Sequence, residues 1–581
     1  MYDIVIKGGT VVDGTKRAPF VADVAIADGR VVRIGEVATE DAKRVIDAEG
    51  RYVTPGFVDI HTHYDAQVLW DPTIDTSSMH GYTTVLAGNC GLSLAPVTPA
   101  SAEYMTGVLA KVEGIPLETL RQAVPFDWES FGSLLDRLDG NVAINFGVLT
   151  GHSALRSYVM GDRAASEAAT DDDIQRMKEV LAQTIREGSL GFSSSHAESH
   201  VTQENQPVAS RHSTMDELVA LSRVCRDFEG TKLEHTPTVK NFTEATFKEM
   251  ADMSVAAQRP LDFALLMDGV LSDDQVENLL SAADHARARG GEVRPQVVAQ
   301  ASQVFATLKT GFPYGIYPKP WSSIYALPRS ERAAQFADPA NYDALEAAAA
   351  QVRAGGDQLA TTARFEEYTV ESVSHPDNAQ YVGRKIGDIA QELGWQPLKA
   401  LLTIAVRDDL GTVFQQGILG RDDAEGWKRR ARIASDNRGV LGATDGGAHL
   451  DVIDQYAQST RFLIGAVREH KVLPIEEAIY LLAGEPAAFN GIKDRGVIRE
   501  GAYGDVLVIN LGELACKPTE MRSDLPAGGA RLCTDAVGYE QIIVNGEIVY
   551  DHGQYTGALP GTVLRSGRDT YTVAGPQVAT A

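Results

Sequence analysis

Eight short apolar runs spaced through the middle of the chain constrain its fold more than any other feature. They end at Ile60, Gly88, Leu149, Ser193, Glu234, Leu265, Val297 and Thr444, and the stretches between them read largely as helices. Strands alternating with helices imply a parallel sheet, since a parallel partner is reached only through a long crossover. The helices carry recognisable starts. Thr170 precedes Asp171-Asp172-Asp173, and Thr214/Glu217 and Ser272/Gln275 are spaced as capping boxes. Gly290-Gly291 stops the helix that contains His285. Eight such units predict an α/β chain closed into a (β/α)8 TIM barrel, whose active site sits at the C-terminal ends of its strands. An open doubly wound sheet is the alternative, but no glycine-rich dinucleotide fingerprint follows an early strand.

The two ends read differently. Tyr2 to Ile6, Thr10 to Val12, Val24 to Ile26 and Val31 to Ile34 are short strands, the last two joined by an Asp28-Gly29 turn. Asp505 to Ile509 and the hairpin Ile542 to Val549, turning at Asn545-Gly546, repeat the pattern near the C-terminus. Neither set suffices for an independent core, so residues 1–54 and 491–581 are expected to form one small β-sandwich, with the barrel over 55–490. Between about 303 and 367 the rhythm breaks into Gly311-Phe312-Pro313-Tyr314-Gly315, Tyr317-Pro318-Lys319-Pro320-Trp321 and a polar helix. Such an insertion after a barrel strand reads as a lid over the site or as a surface elaboration.

A formal net charge of −26 over 581 residues disfavours nucleic acid and anionic lipid, leaving a small-molecule partner. Cys90, Cys225, Cys516 and Cys533 are too few in so long a chain for a disulfide framework. The N-terminus enters a strand directly, without the pattern of a secretory signal, and no run of about 18 apolar residues occurs. The expected compartment is the cytoplasm.

The chemistry begins at Pro55-Gly56-Phe57-Val58-Asp59-Ile60-His61-Thr62-His63, an apolar strand that runs into His-x-His. Side chains alternate along a strand, so His61 and His63 share one side and supply half of a zinc-type site. Asp445 ends the last strand, in Gly442-Ala443-Thr444-Asp445-Gly446-Gly447. A carboxylate there can ligate a metal and also move a proton between water and a leaving group, while the glycines beside it admit a substrate. The plainer alternative is an Asp-Gly turn. Cys90, in Gly88-Asn89-Cys90-Gly91, is a thiolate ligand beside a divalent cation and a small buried hydrophobe otherwise. His235, in Lys232-Leu233-Glu234-His235, stands at the end of the fifth strand as a further ligand, an oxyanion-polarising imidazole or a structural histidine.

Taken together, the glycine-punctuated N-terminal strands, Gly-Phe-Val-Asp-Ile-His-Thr-His, the Asp445 turn and Arg495-Gly496-Val497-Ile498-Arg499-Glu500-Gly501 resemble the amidohydrolase superfamily. His63-Tyr64-Asp65, Gly88-Asn89-Cys90-Gly91, Gly151-His152-Ser153-Ala154-Leu155-Arg156 and Gly191-Phe192-Ser193 resemble its N-acyl-D-amino-acid deacylase (D-aminoacylase) branch. The resemblance spans nearly the whole chain. It implies a metal-dependent hydrolase of non-peptide C–N bonds, zinc as the metal, and a sandwich built from both chain ends. It implies metal ligands at His61, His63, Cys90 and Asp445, catalytic roles for Asp445 and His235, and a homo-oligomer.

Two departures stand out. The deacylases carry a histidine at the end of strand six, where this chain has Leu265, so one zinc is expected and a second is left open. Their tyrosine-rich segment after strand seven is replaced by Arg294-Pro295-Gln296-Val297, which puts recognition of a simple N-acetyl-D-amino acid in doubt. No lysine ends strand four, which argues against a carboxylated-lysine bridge. On the substrate side His449, His196 and His152 are the candidates, and nothing fixes the direction of Arg461. The expected reaction is deacylation of an N-acyl amino acid or related amide, with Asp445 as general base. Hydrolysis of a cyclic amide, carbamate, lactone or aryl amide, a deaminase, and a barrel scaffold without catalysis are the alternatives.

Overall fold

The computed structural model describes residues 1–310, 313–355 and 358–575. Gly311 and Phe312 of the expected insertion lie outside them. Eight parallel strands form the barrel: β1 (Phe57–Asp59), β2 (Tyr82–Ala87), β3 (Asn145–Val148, continued by Thr150–Gly151), β4 (Gly191–Ser195), β5 (Lys232–Thr236), β6 (Leu261–Met267), β7 (Val293–Val298) and β8 (Val440–Leu441). Each coincides with one of the expected strands. The ring closes just past the ends of β1 and β8, where Thr62 bridges Gly446 and the His63 amide donates to the Gly446 carbonyl at 2.7 Å. Every residue of β2 is buried, as befits a strand covered on both faces.

The helix starts follow their sequence signals with one exception. Thr170/Asp173 and Ser272/Gln275 form full capping boxes on Asp171–Glu187 and Asp273–Ala288. Thr214 accepts from the Glu217 amide at 3.3 Å, but the Glu217 carboxylate does not return to the cap. It turns inward to Arg156 (2.5 Å) and His152 (2.9 Å), because a fully buried guanidinium requires a counter-charge more than a helix start requires a second cap.

The chain ends form the β-sandwich as one nine-stranded sheet. Val506–Ile509 from the C-terminal part lies between Tyr52–Pro55 and Tyr539–Val544. The far edge of Tyr2–Val11 divides, pairing first with Ala42–Asp47 and then with Tyr52–Val53, so the sheet folds over a core that includes Ile4, Ile6, Val24, Val508 and Ile543. Both expected hairpins are present. Asp28-Gly29 and Asn545-Gly546 all have positive φ (49°, 75°, 47° and 79°), the backbone that a tight two-residue hairpin demands. The two turns pack against each other, and a Cβ on Gly546 would stand 2.9 Å from the Gly29 Cα.

Between β7 and β8 the chain builds its own unit, which runs on past Glu367. Ser302–Ala306, Val413–Leu419 and Thr369–Ser372 form a three-stranded antiparallel sheet. Helices cover it over a core of Trp321, Tyr314, Phe365, Tyr368 and Phe414. No helix among the described residues is long and apolar enough to cross a membrane.

A buried polar network ties barrel to sandwich. Asn145 of β3 donates to Asp505 at 3.0 Å and accepts from Asn545 at 3.0 Å, while Arg495 pairs with Asp505 and donates to Asn545 at 2.9 Å. Asp505 is 2 % exposed and Arg495 4 %. Removing one partner strands a buried charge, so Asp505→Ala should cost about 3–5 kcal/mol of stability. Urea unfolding followed by circular dichroism checks this, and an unchanged midpoint would remove the network from its role.

Candidate metal centre and active site

Four donor atoms converge at the C-terminal mouth of the barrel. His61 and His63 leave the end of β1 on one side, and their Nε2 atoms are 3.2 Å apart. Asp445 Oδ1 lies 3.4 Å from each of those nitrogens, and Cys90 Sγ lies 3.5 Å from His61 Nε2. A tetrahedron with metal–ligand bonds of roughly 2.1 Å has edges of about 3.4 Å. His61, His63 and Cys90 therefore stand close enough together for a zinc-type ligand shell, Asp445 approaches it through both imidazoles, and the residues fit the metal that the resemblance implies.

Backbone strain places them. Cys90, Ala443, Asp445 and His449 all have positive φ (55°, 59°, 54° and 49°). Conformations of this kind cost about 1–3 kcal/mol each in non-glycine residues and persist only where the surroundings impose them. Asn89 imposes one by donating to the Thr62 and Leu86 carbonyls at 3.1 and 3.0 Å. Glu234 imposes another by accepting from the Cys90 amide at 2.8 Å. The glycines after Asp445 serve the fold rather than a substrate, because a Cβ on Gly446 would strike Tyr64 Oη at 2.4 Å and one on Gly447 the His63 backbone at 2.7 Å.

Electrostatics suit a cation. Burial pushes His61 down to about 3, which leaves a neutral imidazole ready to ligate. Burial, reinforced by Glu234, pushes the Cys90 thiol up to about 12, so a thiolate forms there only when a positive ion compensates it. Burial opposes ionisation of Asp445, yet the His63 and His61 imidazoles hold it well below the usual carboxylate range.

A cavity of about 660 Å³ opens above these groups, and His61, His63, Cys90, Asp445 and His449 all line it. His449 Nε2 stands 3.9 Å from Asp445 Oδ2 and is the more exposed partner. Among the described residues, none of the unit between β7 and β8 lines the cavity. Its walls come from the ends of β5 and β6, from the segments after β2, β4, β5 and β6, and from the Asp445–His449 turn.

The structure does not bring His235, His196 or His152 to this cluster. On β5 it is Thr236, not His235, whose side chain reaches Cys90, its Oγ1 standing 3.4 Å from Sγ. By alternation His235 points the other way, pairing through Nε2 with Glu249 at 2.7 Å. His196 shares that carboxylate at 3.1 Å and bonds Ser213 at 2.8 Å, and the three form a second compact group of potential ligands away from the cavity lining. His152 is buried between Ser194 and Glu217 at 2.9 Å each. Arg461 is held by Asp454 at 2.7 Å and also lies off the cavity lining.

Sequence reading missed Glu113. It follows the helix Pro99–Val112, is 2 % exposed, lines the cavity, and brings Oε1 to 3.4 Å from His63 Nδ1. A lone glutamate at a helix end carries no signal in sequence. Only the docking of that helix beside the Asp445 turn, where the His449 amide donates to the Glu113 carbonyl at 2.5 Å, identifies it.

Comparison with known proteins agrees with this architecture. A D-aminoacylase structure described as having a binuclear metal centre superposes with a TM-score of 0.64 at 22% identity, covering 97% of this chain and 100% of that one. N-acyl-D-glutamate deacylase from Bordetella bronchiseptica, complexed with zinc and a phosphonate inhibitor, superposes at 0.61 with 22% identity, 97% of this chain and 100% of that one. In sequence, the chain is 26% identical to the N-acyl-D-aspartate deacylase of Alcaligenes xylosoxydans xylosoxydans over 572 residues, covering 97% of this chain and 95% of that one. It is 24% identical to that organism's D-aminoacylase over 581 residues, 97% of each. The amidohydrolase family model matches residues 44–550, a span that holds the whole barrel and every residue of the candidate centre, and the chain belongs to that family.

Proposed function

We propose that this metal-dependent amidohydrolase, related to the D-aminoacylases, hydrolyses the C–N bond of an N-acyl amide, the class that includes N-acyl amino acids. The convergence of His61, His63 and Cys90 on the floor of an open cavity, with Asp445 Oδ1 3.4 Å from both imidazoles, carries this reading. A zinc ion held there supplies Lewis-acid polarisation and a lowered pKa for water.

The chain's own groups do the rest. Asp445, anionic and facing the cavity, accepts the proton of the attacking water and returns it to the amide nitrogen as the C–N bond breaks. His449, beside its outer oxygen, orients that carboxyl. Glu113 places a carboxyl 3.4 Å from the outer nitrogen of His63, and Glu234 with Thr236 holds the main chain and sulfur of Cys90. His235 has no part in this scheme, since its imidazole is spent on Glu249. One zinc is the stoichiometry this centre supports, because Thr236, which faces Cys90, and Leu265, which lines the same cavity, are not zinc ligands; a second equivalent would point to the His196, His235 and Glu249 group.

Asp445→Asn should lower kcat/KM by about 10²–10⁴-fold or more while the circular dichroism spectrum stays native. Retention of full activity would sink the assignment. Elemental analysis should find about one zinc per chain, sharply reduced in Cys90→Ala. Chelation should abolish turnover and added zinc restore it; activity indifferent to chelation would exclude the metal from the reaction. Glu113→Gln should weaken zinc binding by about 10–100-fold, read by competition with a chromogenic chelator. An unaltered affinity would reduce Glu113 to a packing residue.

A further inference from the structure

Resting on the hydrolase reading above, we infer that the substrate is a neutral, lipophilic amide without a free carboxylate. The walls of the cavity carry this. Val239, Phe242, Leu265, Met267, Leu271 and Leu279 line it, supplied by the end of β6 and by the segments that follow β5 and β6. Leu265, Met267 and Leu271 are only half-buried, and Val239 is 67 % exposed. Apolar side chains left uncovered around a concave site are covered by what binds there.

The charged groups on the same walls point the same way. A carboxylate drawn into a cavity of this kind needs a cation or an array of donors, since an unpaired buried charge is strongly penalised. Among the described lining residues Lys240 is the only lysine or arginine, and it is committed to Glu198 at 2.9 Å with its side chain 73% exposed at the rim. His449 already faces Asp445 at 3.9 Å, and His200 Nδ1 is bonded to Ser195 at 2.8 Å. Asp445 adds a carboxylate to the lining, so a substrate carboxylate would meet like charge there. An alkyl chain on the acyl or amine side meets none of these obstacles.

A matched pair tests this on the zinc-loaded protein: N-octanoyl-leucine, in both D and L forms, against N-octanoyl-3-methylbutylamine, the same amide without the carboxylate. The neutral amide should be preferred by at least about tenfold in kcat/KM, mostly through KM. Val239→Arg, which sets a cation on the exposed wall, should narrow that preference. Equal or better use of either acid overturns the inference and leaves the hydrolase reading standing. If no compound is cleaved, the hydrolase reading fails on this panel and calorimetric binding to the same protein decides the inference. Tighter binding of the neutral amide upholds it; tighter or equal binding of an acid refutes it.

Discussion

Closure of the barrel between its first and last strands is the constraint on which the site depends. The hydrogen bond from the His63 amide to the Gly446 carbonyl joins segments almost four hundred residues apart in sequence and sets Asp445 against the imidazoles of His61 and His63. Two glycines make it sterically feasible, since any Cβ at Gly446 or Gly447 would collide with Tyr64 or with the His63 main chain. Thr444 tightens the same seam by donating to the buried Asp59 carboxylate, whose other oxygen accepts the His61 amide at 3.3 Å. One seam thus fixes His61, His63 and Asp445 of the candidate centre.

Around it the structure accepts local strain in return for a fixed geometry. Left-handed backbone at Cys90, Asp445 and His449 is unfavourable in isolation, and at Cys90 it is stabilised by the buried Asn89 amide and Glu234 carboxylate. Lys232 and Asp262, paired at 2.6 Å inside the barrel, give the polar interior a compensated charge beneath the centre. The sandwich buttresses the same barrel from outside through Asn145, Asp505, Arg495 and Asn545. The unit between β7 and β8 keeps its own aromatic core and contributes nothing, among the described residues, to the cavity lining.

Much of this was legible in the chain itself. All eight barrel strands, the pairing of the two ends and both hairpin turns follow from periodicity and from Asp-Gly and Asn-Gly, because a two-residue turn of that kind needs positive φ at both positions. The centre was legible wherever a ligand sits at a strand end with a telling neighbour, as in His61-Thr62-His63. It was misread where alternation decides. His235 and Thr236 are adjacent on β5, and which one faces Cys90 depends on the strand's rotation about its own axis, which no local motif records. The capping box at Glu217 was half-lost for a related reason: its carboxylate answers to Arg156, a partner 61 residues away.

The sequence by itself determined the order of elements, the family, and His61, His63, Cys90 and Asp445 as the residues able to hold a cation, since these rest on short-range pattern and side-chain chemistry. Tertiary structure alone decided that Cys90 and Asp445 come within 3.4–3.5 Å of the imidazoles, that Glu113 stands beside His63, and that His235, His196 and His152 lie elsewhere. It alone also decided that apolar side chains from two separate segments close one cavity. The physical reason is common to all of these. Distance, facing and burial between residues remote in sequence are set by strand rotation and helix docking, and those are properties of the packed molecule rather than of any stretch of chain.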